Sequence, residues 1–321
     1  MSGTSPAAGA PSGEQAIAEA AATTLLGGAA PLQALTPEAG TRRYWRPPLL
    51  QAMREGTRWL LVTAPDPPAY ATAALLESRG IRTPRLGARI DGAYLVEDLG
   101  DRHLVDSPHC AAYRTLLADW RRFAGEPLPD GHPAGERALD AALFRRELRL
   151  FREHWLQGLR GRATTAAERD AADALLDILA EEAATGPWTP QHRDFHSRNL
   201  LLPDDGPPAW IDHQDLRPGP LYYDLASLWT DAYVDLPDGV WPLLVAARRT
   251  LAAEFGLDPK EADERFVATA LQRVLKALGT FAMLLARGRP DYAPAERRAR
   301  AAALALIDDA PQWAPLRPLV C

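Results

Sequence analysis

The chain has 321 residues, which is long enough for two domains and a large core. Its composition, with 47% hydrophobic and 24% charged residues, is ordinary for a soluble globular protein. The formal net charge of -6 argues against a nucleic-acid partner, because binding to a phosphate backbone requires a basic surface.

The features that report on compartment favour the cytoplasm. The two cysteines, Cys110 and Cys321, provide no disulfide framework. No basic residue precedes Arg42, and no uninterrupted apolar run approaches the length of a membrane-spanning helix. Residues 1–13 are rich in Ser, Gly, Ala and Pro, so we expect a mobile tail.

Residues 14–98 are predicted to form an N-terminal lobe with a small antiparallel sheet. Helical spacing begins this lobe at 17–26, and Gly80 closes a second predicted helix at 67–79. Strands are predicted at 41–46, 58–63, 85–90 and 93–97, and Asp91-Gly92 joins the last two as a hairpin turn.

Residues 99–321 are predicted to form a larger, mostly helical C-terminal lobe, which makes the fold α+β and bilobal. Apolar residues at spacings of four, three, four and four predict one long helix with a buried stripe: Phe144, Leu148, Phe151, Trp155 and Leu159. Further helices are predicted at 166–182, 221–230, 240–255, 260–287 and 294–308.

One stretch of the second lobe carries chemistry. His192-Arg193-Asp194, with Asn199 five residues after the Asp, matches the spacing of the protein-kinase motif H-R-D-L-x-x-x-N, and Asp212 follows a short apolar run. A triphosphate repels nucleophiles, so its charge must be neutralised by hard cations, which prefer oxygen ligands. The pattern predicts phosphoryl transfer from ATP with Mg²⁺. Asp194 would be the catalytic base, and Asn199 and Asp212 would be the metal ligands.

Two other interpretations use the same stretch. Asp194 and Asn199 are also common in turns, where they bond to nearby backbone. Alternatively, a hydrolase metal site could be formed from alternating imidazole and carboxylate ligands, namely His192, Asp194, His196, Asp212 and His213. That arrangement would leave Arg193, Arg198 and Asn199 without a role.

The scarcity of lysine shapes the nucleotide site that we expect. The chain has only Lys260 and Lys276, so the first lobe has no lysine for the nucleotide phosphates. We expect Arg43 or Arg46 to replace it, because arginine meets phosphate with paired hydrogen bonds, and Arg198 to lie near the transferred group. The junction at 97–100 is a candidate hinge whose backbone groups could contact adenine, and a simple interdomain turn that needs no ligand is the alternative.

The motifs at 192–199, 211–212 and 224–226 resemble the aminoglycoside phosphotransferase and choline-kinase-like superfamily. Within it, 97–100, 214–215 and 272–281 are similar to bacterial cell-wall-recycling kinases that act on the anomeric hydroxyl of N-acetylmuramate or N-acetylglucosamine. The resemblance implies a bilobal kinase-like fold, ATP and Mg²⁺. It also implies a nucleotide hinge formed by Val96, Glu97, Asp98 and Leu99, and a bracing role for Asp224 beside the catalytic loop. The chain departs from the pattern at His213, where an aromatic residue is usual, and at 39–43, which replace a glycine-rich loop.

On this interpretation, Asp231, Gln272 and Tyr233 are the candidate substrate-binding residues, and an aromatic wall would support a sugar. A related kinase of aminoglycosides, choline or homoserine remains the alternative, and the acidic residues Asp231 and Asp235 keep a polycationic acceptor open. An inactive nucleotide-binding module is a further alternative, against which the intact Asp194 argues.

Overall fold

A computed structural model describes residues 13–28, 31–35, 41–66, 69–159, 161 and 165–321. These residues fall into two compact units. The first is drawn from Met1–Ala73 and Thr83–Gly100, and the second from Ala74–Arg82 and Asp101–Cys321. The predicted tail, 1–13, lies outside the described residues except for Gly13. The predicted lobe boundary between 98 and 99 stays a prediction.

The first unit begins with a helix and continues mainly as strands. Its elements are α1 (Gly13–Leu26), β1 (Gln33–Ala34), β2 (Arg43–Arg46), α2 (Leu49–Ala52), β3 (Met53–Arg54), β4 (Thr57–Thr63), the start of α3 (Tyr70–Ser78), β5 (Leu86–Ile90) and β6 (Ala93–Glu97). The predicted strands and the first helix are confirmed, while β1, β3 and α2 were not predicted. α3 begins later than expected, and 67–68 lie outside the described residues.

The strands of the first unit form one antiparallel sheet in the order β1-β2-β4-β6-β5, and β3 pairs with β4. Gly92 has φ 71° in the predicted β5–β6 turn, a left-handed conformation that glycine adopts without strain. Trp45, Leu61 and Leu95 pack beneath α1 on one face, and Val62 and Tyr94 are buried on the other face. Because side chains alternate along a strand, neighbouring residues of β2 face opposite sides of the sheet.

The second unit is mostly helical, and short strands flank the loop at 192–199. Its elements are α4 (Cys110–Ala124), α5 (Ala141–Leu150), a π-helical segment (Phe151–Leu159), α6 (Ala166–Ala183), β7 (Trp188–Gln191), β8 (Leu200–Leu201), β9 (Ala209–Trp210), β10 (Arg217–Pro220), α7 (Tyr223–Trp229), α8 (Trp241–Glu254), α9 (Pro259–Ala286), α10 (Ala293–Asp308) and α11 (Arg317–Val320). β7 pairs with β10, and β8 pairs with β9.

α9 is the central helix of the second unit, and it packs against α5, the π-helical segment, α6, α7 and α10. Asp258 caps its N-terminus by accepting hydrogen bonds from the Lys260 and Glu261 amides. Among the described residues, α9 is long and apolar enough to span a membrane by length and composition, and 67% of its apolar window is buried inside the protein. Polar residues interrupt this window, so it contains no uninterrupted apolar run of that length.

The long helix predicted over 144–159 is wrong in one respect: α5 ends at Leu150, and the chain continues as a π-helix. The reason is a close approach to α9. A Cβ atom on Gly279 would lie 2.6 Å from the Phe151 backbone nitrogen and 2.8 Å from its Cα. The turn is wider in a π-helix, so a spacing of four no longer keeps residues on one face. Trp155 is still buried, whereas Leu159 is 43% exposed.

This contact gives a stability prediction. Gly279→Ala places a methyl group against the Phe151 backbone, so α9 and the π-helical segment must separate. Overpacking costs about 1–3 kcal/mol, and the better helix propensity of alanine offsets about 1 kcal/mol of it. The net cost of up to about 2 kcal/mol should lower the thermal midpoint, followed by circular dichroism, by up to roughly 3 °C.

Gly135→Ala is the matched control, because an added Cβ at Gly135 meets no atom within 4 Å. Its thermal midpoint should stay close to that of the wild type. Equal midpoints for Gly279→Ala and Gly135→Ala would show that the contact with Phe151 is not tight.

Candidate active site

The loop between β7 and β8 is held in place by the buried carboxylate of Asp224 at the start of α7. Asp224 accepts hydrogen bonds from the backbone amides of His192 at 2.6 Å and Arg193 at 2.9 Å. Arg193 has φ 83°, a strained backbone conformation for a residue with a side chain. Burial raises the pKa of Asp224 to about 7, although the two amides act to lower it. The structure thus contains the bracing contact that the resemblance implied.

His192 joins the same loop to the end of β9. Its side chain is fully buried, and its ring Nε2 lies 2.9 Å from the Ile211 carbonyl oxygen, to which it donates. Burial lowers the pKa of His192, so the ring is neutral near pH 7 and can keep this single donor. The ring also lies edge-on to Trp210, at 5.8 Å between centroids.

A second buried carboxylate, Asp231, holds the turn Ser197–Asn199. Its oxygens accept hydrogen bonds from the Ser197 amide at 2.7 Å and the Tyr233 amide at 3.0 Å. Burial raises the pKa of Asp231, and both amides oppose that rise. Asp231 was expected to contact substrate. The structure instead gives both of its carboxylate oxygens backbone partners, and a direct substrate contact stays a prediction.

Asp194 is the acidic residue of the loop that remains partly open to solvent, with a side chain that is 31% exposed. Its Oδ1 lies 3.5 Å from Lys276 Nζ and 3.6 Å from an Arg273 terminal nitrogen. Burial alone would raise the pKa of Asp194, but these two cations hold it well below its usual range. Burial lowers the pKa of the neighbouring His196 to about 3, so that ring carries no charge at neutral pH.

The cations beside Asp194 are supported by Glu147, which projects from α5. Glu147 accepts a hydrogen bond from Gln272 Nε2 at 2.9 Å and lies 3.7 Å from Lys276 Nζ and 3.5 Å from Arg193. Gln272 was expected to bind substrate. Its side chain is fully buried and bonds to Glu147, and a direct substrate contact by Gln272 stays a prediction.

Ion pairs continue from Arg193 towards the surface of the unit. Arg193 pairs with Asp215 at 3.1 Å, and Asp215 also pairs with Arg217 at 3.0 Å and Arg137 at 3.1 Å. The side chains joined in this way are five cations and three carboxylates: Arg137, Arg193, Arg217, Arg273 and Lys276 with Glu147, Asp194 and Asp215. Cations therefore outnumber carboxylates in this ion-pair network.

Asn199 and Asp212 are brought together by the strand pair β8–β9. The Ile211 amide donates to the Asn199 carbonyl oxygen at 3.0 Å, which places Asp212 next to Asn199. Asn199 Nδ2 donates to the Asp194 carbonyl oxygen at 2.9 Å, so its side-chain oxygen points away from that bond. Asp212 has φ 61°. An amide oxygen beside a carboxylate is a donor set that fits Mg²⁺, which commonly takes one or two protein ligands and phosphate oxygens.

Arg198 lies against an aromatic group, and its predicted place near the transferred group stays a prediction. Its guanidinium carbon is 4.1 Å from the Tyr233 ring centroid and 5.3 Å from the Tyr292 ring centroid. The Tyr233 ring also packs on His196, with 5.0 Å between centroids. Tyr233, a predicted substrate residue, is therefore close to the catalytic loop through His196, and it orients Arg198 through a cation–π contact.

The predicted hinge residues of the first unit are engaged in local pairing. Asp98 has a fully buried side chain that accepts two hydrogen bonds from Arg46, at 3.0 and 3.1 Å, and pairs with Arg58 at 3.0 Å. The amides of Glu97 and Asp98 donate to backbone carbonyls within the unit, and the Glu97 carboxylate pairs with Arg85. A nucleotide contact by these two residues would therefore use carbonyl oxygens or side chains.

The two arginines proposed for phosphate binding lie on opposite faces of the sheet. Arg43 is on the α1 face, 3.7 Å from Glu14, because it alternates with Tyr44 along β2. Arg46 follows the other face, where Tyr44 and Val96 pack against the buried Val62 and Tyr94. Only one of the two arginines can face a given ligand on this sheet.

The cluster around Asp194 contains three charged residues that sequence reasoning missed, namely Glu147, Arg273 and Lys276. Two signals could have found it. Glu147 is a charged residue within an apolar helical stripe, and Arg273 and Lys276 are three residues apart on a largely buried helix. Burial of charge at those positions requires nearby partners of opposite sign.

The hydrolase alternative receives no support from this geometry. In the part of the chain that the structure describes, no three His, Cys, Asp or Glu side chains are grouped to hold a metal ion. His192 donates to a carbonyl oxygen instead.

Comparison with known proteins agrees with the geometry. The N-acetylmuramate/N-acetylglucosamine kinase of Pseudomonas aeruginosa strain PAO1 is 30% identical over 279 residues, which are 79% of this chain and 77% of the relative. The enzyme with the same name in Pseudomonas putida KT2440 is 29% identical over 281 residues, covering 81% and 79%. These relatives extend the likeness well beyond the catalytic loop.

Comparison with solved structures concerns the fold. Spectinomycin phosphotransferase, solved with ADP and spectinomycin, superposes with a TM-score of 0.58 at 11% identity, covering 91% of this chain and 98% of that structure. The predicted α+β kinase-like fold class is thereby confirmed. Residues 46–264 match the model of the family described as phosphotransferase enzyme family. The chain belongs to this phosphotransferase enzyme family.

Proposed function

We propose that the protein is an ATP-dependent kinase that phosphorylates the anomeric hydroxyl of N-acetylmuramate or N-acetylglucosamine. The observation that carries this proposal is the catalytic loop: Asp224 and Asp231 fix its backbone, and Asp194 is ionised and partly exposed. The names of the two Pseudomonas relatives supply the acceptor. Because ATP is the donor, we place the reaction in the cytoplasm.

Asp194 is the proposed catalytic base. It accepts the proton of the acceptor hydroxyl as the oxygen bonds to the γ-phosphorus and the bond from that phosphorus to ADP breaks. The transition state of phosphoryl transfer is loose, so the hydroxyl needs orientation more than early deprotonation. A carboxylate that stays ionised through its contact with Lys276 and Arg273 suits that task even though it is a weak base.

Asn199 and Asp212 are the proposed Mg²⁺ ligands. When bound, Mg²⁺ supplies positive charge that neutralises the triphosphate and orients it for in-line attack. The residues of this chain prepare the site, because the bond from the Ile211 amide to the Asn199 carbonyl oxygen sets the two ligands side by side.

The nucleotide is proposed to bind to the first unit along 96–99. Val96 and Leu99 would provide apolar contacts to adenine, while Glu97 and Asp98 would provide carbonyl oxygens. Arg46 is the better candidate for the phosphates, because it shares a sheet face with Val96. Asp98 would orient the Arg46 guanidinium through their paired hydrogen bonds.

The acceptor is proposed to lie against Tyr233 and Arg198. An aromatic ring packs well on the apolar face of a sugar, and a guanidinium donates to its hydroxyl and acetamide oxygens. Asp231 and Gln272 would act indirectly, Asp231 through the loop backbone and Gln272 through Glu147.

The first functional prediction concerns the base and the metal. Asp194→Asn should retain ATP binding and lose at least about a hundredfold in kcat, because it removes the proton acceptor. Asp212→Asn should also raise the Mg²⁺ concentration that gives half-maximal activity. Coupled ADP-release kinetics and ATP titration calorimetry measure both effects. Near-native turnover by Asp194→Asn would refute the assignment of the base.

The second functional prediction concerns the acceptor. With N-acetylglucosamine and ATP, phosphorus-coupled NMR should identify a sugar 1-phosphate. An anomeric hydroxyl is the most acidic hydroxyl of the sugar, so a single weak base can accept its proton. A panel of neutral sugars, choline, homoserine and aminoglycosides is the control. A 6-phosphate product, or turnover with choline or an aminoglycoside alone, contradicts the proposed function.

The third functional prediction separates the two arginines of β2. Arg46→Ala should weaken ATP binding about tenfold or more, because it removes a charge-assisted contact with phosphate. Arg43→Ala is the matched variant on the opposite sheet face and should leave ATP affinity unchanged. Titration calorimetry with ATP and Mg²⁺ measures both. Equal affinities for the two variants would remove Arg46 from the phosphate site.

A further inference from the structure

Arg273 and Lys276 are buried cations whose contacts are long. Their side chains are 10% and 14% exposed. Lys276 Nζ lies 3.5 Å from Asp194 Oδ1, 3.5 Å from the Tyr223 hydroxyl and 3.7 Å from Glu147, while Arg273 lies 3.6 Å from the same Asp194 oxygen. A charge-assisted N–H···O hydrogen bond is usually about 2.7–2.9 Å long. These cations therefore have near neighbours but few close acceptors.

Arg273 has a further unused donor. Within the described part of the chain, its buried Nε has no hydrogen-bond partner. Burying a cationic group costs free energy unless acceptors replace the lost water, so such a donor beside a partly open acid is available to bind an acceptor.

The shared carboxylate oxygen indicates that this acceptor is an anion. Arg273 and Lys276 both approach Oδ1 of Asp194, so two buried cations share one carboxylate oxygen. Two other nearby carboxylates, Asp224 and Asp231, bond to backbone amides. The Asp194 charge also raises the pKa of Lys276 against the effect of burial, so its ammonium stays protonated. Oxyanions are the ligands that such paired donors bind best.

We propose that Arg273 and Lys276 form an anion subsite beside Asp194 that binds the oxygens of the transferred phosphoryl group. This inference rests on the proposed function. An acceptor hydroxyl bonded to Asp194 carries the incoming phosphorus one bond further, so the phosphoryl oxygens come within roughly 4–5 Å of the carboxylate. Both cations already lie next to the same Asp194 oxygen.

The subsite also fits the movement of charge during the reaction. The hydroxyl proton passes to Asp194, the acceptor oxygen bonds to phosphorus, and ADP leaves with the electrons of the broken phosphorus–oxygen bond. When Asp194 becomes neutral, Lys276 and Arg273 lose their anionic partner, and a phosphate monoester forms beside them. Fixed donors placed where charge develops stabilise the transition state without rearranging.

Inorganic phosphate tests the subsite without ATP or sugar. Titration calorimetry on the nucleotide-free protein should show phosphate binding that Lys276→Met and Arg273→Met each weaken about tenfold or more. Asp194→Asn should strengthen this binding, because it removes a competing negative charge. Lys260→Met is the matched control: it replaces the other lysine, which is 85% exposed, and should change nothing.

Kinetics provide the second readout. Lys276→Met should lower kcat about a hundredfold or more and change the KM for ATP little, while Lys276→Arg should recover part of kcat because it retains a cation. Partial recovery by Lys276→Arg would show a catalytic role rather than a folding defect. The thermal midpoints of all variants check their folding directly. The carboxylate of N-acetylmuramate is the other oxyanion that could bind here. In that case the variants would lose activity with N-acetylmuramate and keep it with N-acetylglucosamine.

The phosphoryl subsite and the proposed acceptor can fail independently in these experiments. Absence of phosphate binding by the wild type, equal binding by Lys276→Met, or a loss confined to N-acetylmuramate overturns the phosphoryl subsite. If no amino sugar is phosphorylated, but phosphate binding still depends on Arg273 and Lys276, the proposed acceptor is wrong and the anion subsite stands.

Discussion

The structure of the catalytic loop depends on one buried carboxylate that need not touch a substrate. Asp224 takes two backbone amides, those of His192 and Arg193, out of solvent and holds Arg193 in a left-handed conformation that its own preferences disfavour. This backbone constraint sets the direction in which the Asp194 side chain leaves the loop. Because Asn199 bonds back to the Asp194 carbonyl oxygen and to Ile211, the placement of Asp212 follows as well.

The charged partners of Asp194 lie on helices far away in the chain, so their distances from Asp194 depend on the packing of α9. Arg273 and Lys276 stand on the same helix as Gly279, which meets the Phe151 backbone without a side chain between them. Glu147 lies just before the π-helical segment on the opposing helix α5. One tight helix contact thus fixes the distance between the cations and their carboxylate partners.

Local patterns were sufficient to predict most of the elements and the catalytic loop. Alternation and the Asp91-Gly92 turn predict the sheet, and motif spacing predicts site roles for Asp194, Asn199 and Asp212, which stay predictions. The partners of Asp194 could not be predicted in this way, because Lys276 is 82 residues away in sequence and only tertiary packing brings it near. The opposite orientation of Arg43 and Arg46 was predictable, since residues three apart on a strand face different sides. The π-helical turn was not, because it arises from the contact with Gly279.

The unequal burial of the two lysines has a practical consequence for chemistry on the protein surface. Lys260 is 85% exposed at the start of α9, whereas Lys276 is 14% exposed and surrounded by acids. An amine-directed reagent therefore meets a single accessible lysine side chain, near one end of a helix whose interior holds the other. A fluorophore or surface linker attached through lysine would modify one known position and leave the charges around Asp194 unchanged.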